Sequence, residues 1–260
     1  MTERARIPRV LIIAGSDSGG GAGIQADIKT VTMLGGHAMT AVTALTAQNT
    51  LGVRAIHPVP TDMVIAQIEA VVCDIGMDAV KIGMIGSAET ADAVAEWLVS
   101  VGVPVVLDPV MVATSGARLI DDAAVAAIRR LMTWSTLVTP NLPELEVLGG
   151  IDTLKREGEL VLVKGGHAEG NVVIDQLIDG RGEIARWSNP RIDTPHTHGT
   201  GCTLASAIAT GLAAGMAVPE ATGRAIEFVR AAIEHAPGLG GGHGPMGHAL
   251  GVAPFDELKH

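Results

Sequence analysis

The chain has 260 residues, 47% of them hydrophobic, and carries a formal net charge of −10 at pH 7. That length suits one large α/β domain or two small ones, and a negative balance without any Lys/Arg cluster gives no electrostatic footprint for nucleic acid or an anionic membrane. With two Phe, three Trp and no Tyr there are few platforms for stacking bases, so small molecules are the expected partners.

No apolar run approaches the roughly 18 residues of a spanning helix, and Arg4, Arg6 and Arg9 lead into a strand rather than into the apolar core of a signal peptide. Cys73 and Cys202 read as free thiols of a reducing compartment, and a cytoplasmic location is expected. Residues 9–14, Arg-Val-Leu-Ile-Ile-Ala, form a short apolar run that fits a strand buried on both faces. A glycine-rich turn follows at 15–23. Residues 24–34 then show helical spacing through Ile24, Ile28, Val31 and Leu34, ending at Gly35-Gly36. Further strands are expected near 38–46, 53–58, 79–83, 104–107, 136–139 and 160–164, with helices near 61–73, 87–101, 121–132 and 142–148. A hairpin is expected through residues 179–182 between strands at 171–178 and 182–187, then helices at 202–214 and 219–235 before a glycine-rich tail. With no linker and no internal repeat, residues 1–260 read as one α/β domain. Its sheet should be mostly parallel with helices on both faces, binding ligands beyond the carboxyl ends of its strands.

Polar residues gather at those expected strand ends: Gln48-Asn49, Lys81 with Met84, Asp108-Pro109, Asn141 with Glu144, and residues 164–167, Lys-Gly-Gly-His. Asn141 and Glu144, three apart, read both as a capping box and as the oxygen donors that Mg²⁺ shares with phosphate and water. In residues 198–208, His-Gly-Thr-Gly-Cys-Thr-Leu-Ala-Ser-Ala-Ile, a small-residue turn enters an apolar helix. Unpaired N–H groups of Thr200, Gly201 and Cys202 would sit at the positive end of its dipole, an anion site with a thiol at its centre. The chain has no Gly-Lys dipeptide, which excludes the usual P-loop. The Gly-x-Gly-x-x-Gly spacing at 242–247 follows a helix and opens none, so it reads as accidental. His196-Thr197-His198, with His167, His243 and His248, could be recruited for zinc, but histidines in turns more often hydrogen-bond or lie exposed. A lysine after a buried strand, an Asn/Glu pair, an acid and an anion-binding helix start make a parts list for phosphoryl transfer, which needs charge neutralisation and alignment above all.

The motifs run in order: residues 14–29, Ala-Gly-Ser-Asp-Ser-Gly-Gly-Gly-Ala-Gly-Ile-Gln-Ala-Asp-Ile-Lys; Thr46-Ala-Gln-Asn-Thr; Lys81-Ile-Gly-Met; Asp108-Pro-Val-Met; Thr139-Pro-Asn-Leu-Pro-Glu; Lys164-Gly-Gly-His; His198-Gly-Thr-Gly-Cys-Thr. Together, over roughly residues 9–248, they resemble the hydroxymethylpyrimidine and phosphomethylpyrimidine kinases of thiamine biosynthesis. The resemblance implies a three-layer ribokinase-like fold, a homodimer, and Mg²⁺-dependent phosphoryl transfer from ATP to the hydroxymethylpyrimidine and then to its monophosphate. It assigns Gln48 to the pyrimidine edge and Ala22, Asp27, Met84 and Val110 to the pocket walls. Gly199, Thr200 and Gly201 become the anion hole. Lys164, Asn141 and Thr200 fall to the nucleotide, Asp108, Asn141 and Glu144 to the metal, and Cys202 becomes the base. A helix N-terminus lowers a thiol's pKa, whereas a neighbouring triphosphate and metal pull in opposite directions. Pyridoxal or pyridoxine kinase of the same superfamily is the alternative, and a nucleotide-binding protein without useful turnover a further one.

One departure stands out. Between Glu144 and Val161 the family has a further helix, whereas residues 153–157 are expected to supply about a turn of it, leaving the helix at 142–148 to make most of the crossover. One flank of the sheet is then expected to be thinly covered or capped by a partner subunit.

Overall fold

A computed structural model of the chain describes residues 6–111, 122–168 and 170–250. Arg4 and the first residue of the helix expected at 121–132 lie outside them, as does the side chain of His167. The strands and helices are β1 (Arg9–Asp17), α1 (Gly23–Met33), β2 (His37–Asn49), β3 (Gly52–Pro58), α2 (Thr61–Asp74), β4 (Ala79–Ile82), α3 (Ala88–Leu98), β5 (Val105–Leu107) and α4 (Asp122–Met132). They continue with β6 (Leu137–Val138), α5 (Leu142–Val147), α6 (Ile151–Glu157), β7 (Val161–Val163), β8 (Val172–Asp179), β9 (Gly182–Pro190), α7 (Thr200–Ala213) and α8 (Val218–Glu234).

The strands form one sheet in the order β3-β2-β1-β4-β5-β6-β7-β8-β9. Strands β2, β1, β4, β5, β6 and β7 pair in parallel, while β3 at one edge and the β8–β9 hairpin at the other pair antiparallel. Period-two alternation divides each central strand between two cores. Leu11, Ile13, Val80 and Ile82 pack with α2, α3, α4, α5 and α6; Val10, Ile12, Ala14 and Ala79 pack with α1, α7 and α8. The α/β class and the three layers are those expected. No helix among the described residues is long and apolar enough to cross a membrane.

Two expectations are corrected. The segment after Glu144 forms a second short helix, α6, entered through Gly150 (φ 79°) and closed by Gly158 in the left-handed region (φ 83°). Glycine is the residue that reaches both conformations without a Cβ clash. Leu145, Leu148 and Leu154 are buried along this connection, so α5 and α6 together cover the flank that the sequence suggested would be thin. In α1 the expected stripe is altered: Ile28 is exposed, and the inward face is Ile24, Asp27 and Val31. Asp27 takes an apolar slot because β4 offers it an ion partner. Lys81 lies inside β4, on the same face as Ala79, not at the strand's end.

β1 sends its chain to α1 on one face, whereas β4 beside it sends its chain to α3 on the other. The strand order therefore reverses at β1, which opens a crevice beyond the carboxyl ends of β1 and β4. α7 points its N-terminus towards the groups gathered there.

Candidate active site

The floor of the crevice is an ion pair. Lys81 Nζ lies 3.0 and 2.8 Å from the two carboxylate oxygens of Asp27, and Ser206 Oγ donates to Asp27 Oδ1 at 2.6 Å. Both charged side chains are fully buried. Burial alone would lower the pKa of Lys81, but Asp27, with Cys202 and Asp108 beyond it, holds it above the ordinary lysine value. The pocket-wall role expected of Asp27 does not survive: with no exposure and its carboxylate engaged, it supports the site from beneath.

Ser206 is one turn beyond Cys202 on α7, so both face the sheet. The helix begins at Thr200 with Gly199 as its N-cap at φ 87°, and Thr203 N–H makes the first helical bond to Gly199 O at 2.9 Å. A Cβ on Gly199 would come within 2.0 Å of Gly21 O, so the turn demands glycine both for its conformation and for the close approach to the first loop. Of the three amides expected to be open, Thr200 N–H is turned back to Thr197 O at 3.3 Å. Those of Gly201 and Cys202 have no acceptor among the described residues and head the helix dipole. Burial pushes the Cys202 thiol up to about 11, with Asp27 and Asp108 adding to the rise and the Lys81 ammonium and Gly23 N–H opposing it. The net direction, which the sequence left open, is upward because burial dominates.

Beside Gly201 sits a second charged group. Lys164, just after β7, donates from Nζ to Asp108 Oδ1 at 2.7 Å and lies 3.8 Å from Glu144 Oε2. A Cβ on Gly201 would be 3.3 Å from Lys164 Nζ and 3.4 Å from Asp108 Oδ2, which shows how closely the helix start approaches this pair. Thr139 Oγ1 is 3.4 Å from Asp108 Oδ1. The capping box is formed: Glu144 N–H donates to Asn141 Oδ1 at 2.9 Å and Asn141 N–H to Glu144 Oε2 at 2.8 Å. Burial raises the Glu144 carboxyl to about 7, against the pull of Lys164. Gly165 is fixed by its N–H donating to Asp175 Oδ1 at 2.9 Å.

The third group lines the first loop. Asp17 Oδ1 accepts from Gly19 N–H at 2.8 Å, and its Oδ2 accepts from Gly21 and Ala22 at 3.0 and 2.8 Å. The glycine loop thus spends these amides on its own aspartate. Burial would raise the Asp17 pKa, but His198 and the amides of Ala22 and Gly19 hold it below the usual carboxylate value. Gln48, at the end of β2, reaches His198 with 3.1 Å between side-chain nitrogens. Ala22 is the N-cap of α1, Met84 lies over Gly15, and half-buried Val110 follows Asp108 on the same loop.

The structure therefore brings together Gln48, Cys202, Gly199, Thr200, Gly201, Lys164, Asp108, Asn141 and Glu144 around the start of α7 and the adjoining strand ends. The sequence reading missed Asp17, Ser206 and the polar task of His198; an aspartate inside a glycine loop and a serine one turn after Cys202 were the available signals. His198 Nε2 lies 2.9 Å from Asp17 Oδ2 and His248 Nε2 lies 2.9 Å from Thr203 Oγ1, and no cluster of three metal-ligating side chains occurs among the described residues. The glycines at 242–247 serve packing, since a Cβ on Gly247 would meet His235 O at 2.0 Å.

The chain is similar to known proteins over most of its length. Residues 17–247 match the family described as phosphomethylpyrimidine kinase. The thiamine biosynthesis bifunctional protein ThiED of Geobacter sulfurreducens is 50% identical over 95% of the chain, which spans 54% of that longer protein. The hydroxymethylpyrimidine/phosphomethylpyrimidine kinase of Streptomyces coelicolor is 48% identical, with 94% of this chain and 96% of that one aligned. An ADP complex of Bacillus subtilis pyridoxal kinase superposes with a TM-score of 0.85 at 34% identity, covering 94% of this chain and 98% of that one.

Proposed function

The chain belongs to the phosphomethylpyrimidine kinase family, and from that premise we propose that it transfers the γ-phosphoryl group of ATP to the hydroxymethyl oxygen of 4-amino-5-hydroxymethyl-2-methylpyrimidine and then to the resulting monophosphate, in thiamine biosynthesis. The observation that carries this reading is the close approach of Lys164 Nζ to Gly201 at the head of α7, where the amides of Gly201 and Cys202 have no acceptor among the described residues.

Such a transfer passes through a loose transition state whose charge lies on the phosphoryl oxygens, so alignment and neutralisation dominate. Gly201 and Cys202 N–H receive the moving group, and Gly199 shapes the turn that presents them, with Thr200 beside them. Lys164 leaves its carboxylate partners to hold the ATP phosphates. Asp108 and Glu144, hard oxygen donors a few ångströms from that lysine, suit a divalent cation that keeps most of its waters and phosphate ligands, as Mg²⁺ does. Asn141 adds its carboxamide while capping α5. Mg²⁺ there would neutralise phosphate charge. Gln48 reads the pyrimidine edge, between walls formed by Ala22, Met84 and Val110. Cys202 takes the hydroxymethyl proton as the thiolate, after releasing its own proton to solvent; with the thiol pushed up to about 11 that form is scarce at pH 7, so the sulfur's share in the rate is smaller than that of the anion hole.

A second reading, phosphorylation of a pyridoxal-type alcohol, draws on the fold likeness to pyridoxal kinase. Incubation with ATP, Mg²⁺ and each heterocycle, with product masses recorded, separates the two; absence of product from either would leave a nucleotide-binding protein. Work as a cytoplasmic homodimer belongs to the same proposal. Exposed Leu45, Leu51 and Ile56 on the β2–β3 hairpin support the dimer, and light scattering tests it.

A further inference from the structure

His198 is 8% exposed, and its Nε2 meets two groups at once: Asp17 Oδ2 at 2.9 Å and Gln48 Nε2 at 3.1 Å. One imidazole nitrogen carries either a proton or a lone pair. As donor to Asp17 it has nothing to offer an amide N–H, and as acceptor from Gln48 it would turn its lone pair on a carboxylate oxygen. The same conflict appears at the other end of the amide. Thr46 Oγ1 has a single proton, directed at Ser16 O at 2.8 Å, yet it stands 3.3 Å from Gln48 Oε1. The oxygen and nitrogen of a carboxamide are nearly isosteric, and turning the Gln48 amide by 180° removes both conflicts. Nε2 then donates to Thr46 Oγ1, while His198 Nε2–H is shared between Gln48 Oε1 and Asp17.

We propose that Asp17 and His198 are positioning residues that lock the Gln48 amide with Oε1 towards His198 and Nε2 towards Thr46, and that this lock sets the enzyme's preference among heterocycles. The inference rests on the assignment of Gln48 to the pyrimidine edge. Once locked, the amide keeps one Oε1 lone pair and one Nε2–H for the ligand. That pair complements a ring bearing an amino donor beside a ring-nitrogen acceptor, by the geometry in which Gln reads adenine. A hydroxymethylpyridine without that amino group can satisfy one of the two. The lock is rigid because its root is rigid: three loop amides from Gly19, Gly21 and Ala22 hold both oxygens of Asp17. The His198 ring is also packed against the glycine loop, where a Cβ on Gly21 would come within 2.6 Å of its Cδ2.

The test is calorimetric binding of 4-amino-5-hydroxymethyl-2-methylpyrimidine and, separately, of ATP to the full chain and to His198→Leu, His198→Gln, Gln48→Leu and the His198→Leu/Gln48→Leu double variant. His198→Leu should weaken pyrimidine binding about tenfold, the size of one mispaired hydrogen bond, and leave ATP binding unchanged. His198→Gln, which retains an N–H donor, should recover most of the loss. The double variant should bind pyrimidine no more weakly than Gln48→Leu alone, because the lock acts only through that amide. Additive losses, or a parallel fall in ATP affinity, would make His198 a structural residue and overturn the lock while leaving Gln48 in place. Unchanged pyrimidine affinity in Gln48→Leu would instead remove the assignment of Gln48, and the inference with it.

Discussion

Lys81→Met probes the ion pair on which the site stands. In the native protein Lys81 Nζ contacts both oxygens of Asp27, at 3.0 and 2.8 Å, and neither side chain is exposed. The variant leaves Asp27 with one hydroxyl donor, Ser206 Oγ at 2.6 Å, in surroundings that penalise its charge. Asp27 escapes by binding a proton, which at pH 7 costs about 4 kcal/mol for a carboxyl of ordinary pKa near 3.9. That sets the ceiling of the loss, in line with the roughly 3–5 kcal/mol for breaking a buried pair. It corresponds to a fall in Tm of about 8–16 °C in a chain of this size. Because the variant's folded state holds a proton that its unfolded state has released, stability falls by about 1.4 kcal/mol for each pH unit above about 4. The deficit relative to the native protein should therefore be smaller at pH 5 than at pH 7, by up to about 3 kcal/mol, because burial raises Asp27 in the native protein as well. Urea denaturation of both proteins at the two pH values measures it. Adding Asp27→Asn removes the stranded carboxylate, and should restore most of the stability and flatten the pH dependence. An equal deficit at pH 5 and pH 7, or a double variant no better than the single one, would refute the reasoning.

Gly199→Ala places a Cβ 2.0 Å from Gly21 O at φ 87°, so it should cost more than the roughly 1–2 kcal/mol of a left-handed residue and collapse kcat with it; a melting curve and kcat equal to the native ones would contradict the close approach. Lys164→Ala should raise the KM for ATP or lower kcat while leaving pyrimidine affinity unchanged, and unaltered ATP kinetics would return Lys164 to a purely structural pairing with Asp108. With its thiol up at about 11, Cys202 should react slowly with iodoacetamide at pH 7 and about tenfold faster per pH unit above it, and bound pyrimidine should slow it further; rapid alkylation at pH 7 would contradict the raised pKa. Cys202→Ala should lose roughly 10²- to 10⁴-fold in kcat and Cys202→Asp should keep part of it, whereas full activity in the alanine variant would show that the sulfur only packs.

The sequence by itself determined the layered α/β plan. Apolar runs of strand length, stretches of helical period and glycine stops are local signals, and β4, β5, β7, α2 and α5 lie within a residue or two of where those signals put them. The motifs at Gln48, Asp108, Asn141, Lys164 and Gly199–Cys202 were legible for the same reason, since each is written in contiguous residues. α6 escaped because two turns between glycines carry too few apolar positions to register a period, and only packing of Leu154 into the core makes them helical. Tertiary structure alone decided which polar groups face one another. Asp27 looked like a pocket residue, yet strand alternation in β4 aims Lys81 at it and seals both. Asp17 and His198 are 181 positions apart in the chain and 2.9 Å apart in space. The pKa of Cys202 was undetermined because the charges of Lys81, Asp27 and Asp108 come from β4, α1 and the loop after β5, and electrostatic energy depends on distances and solvent exclusion that no one-dimensional spacing contains.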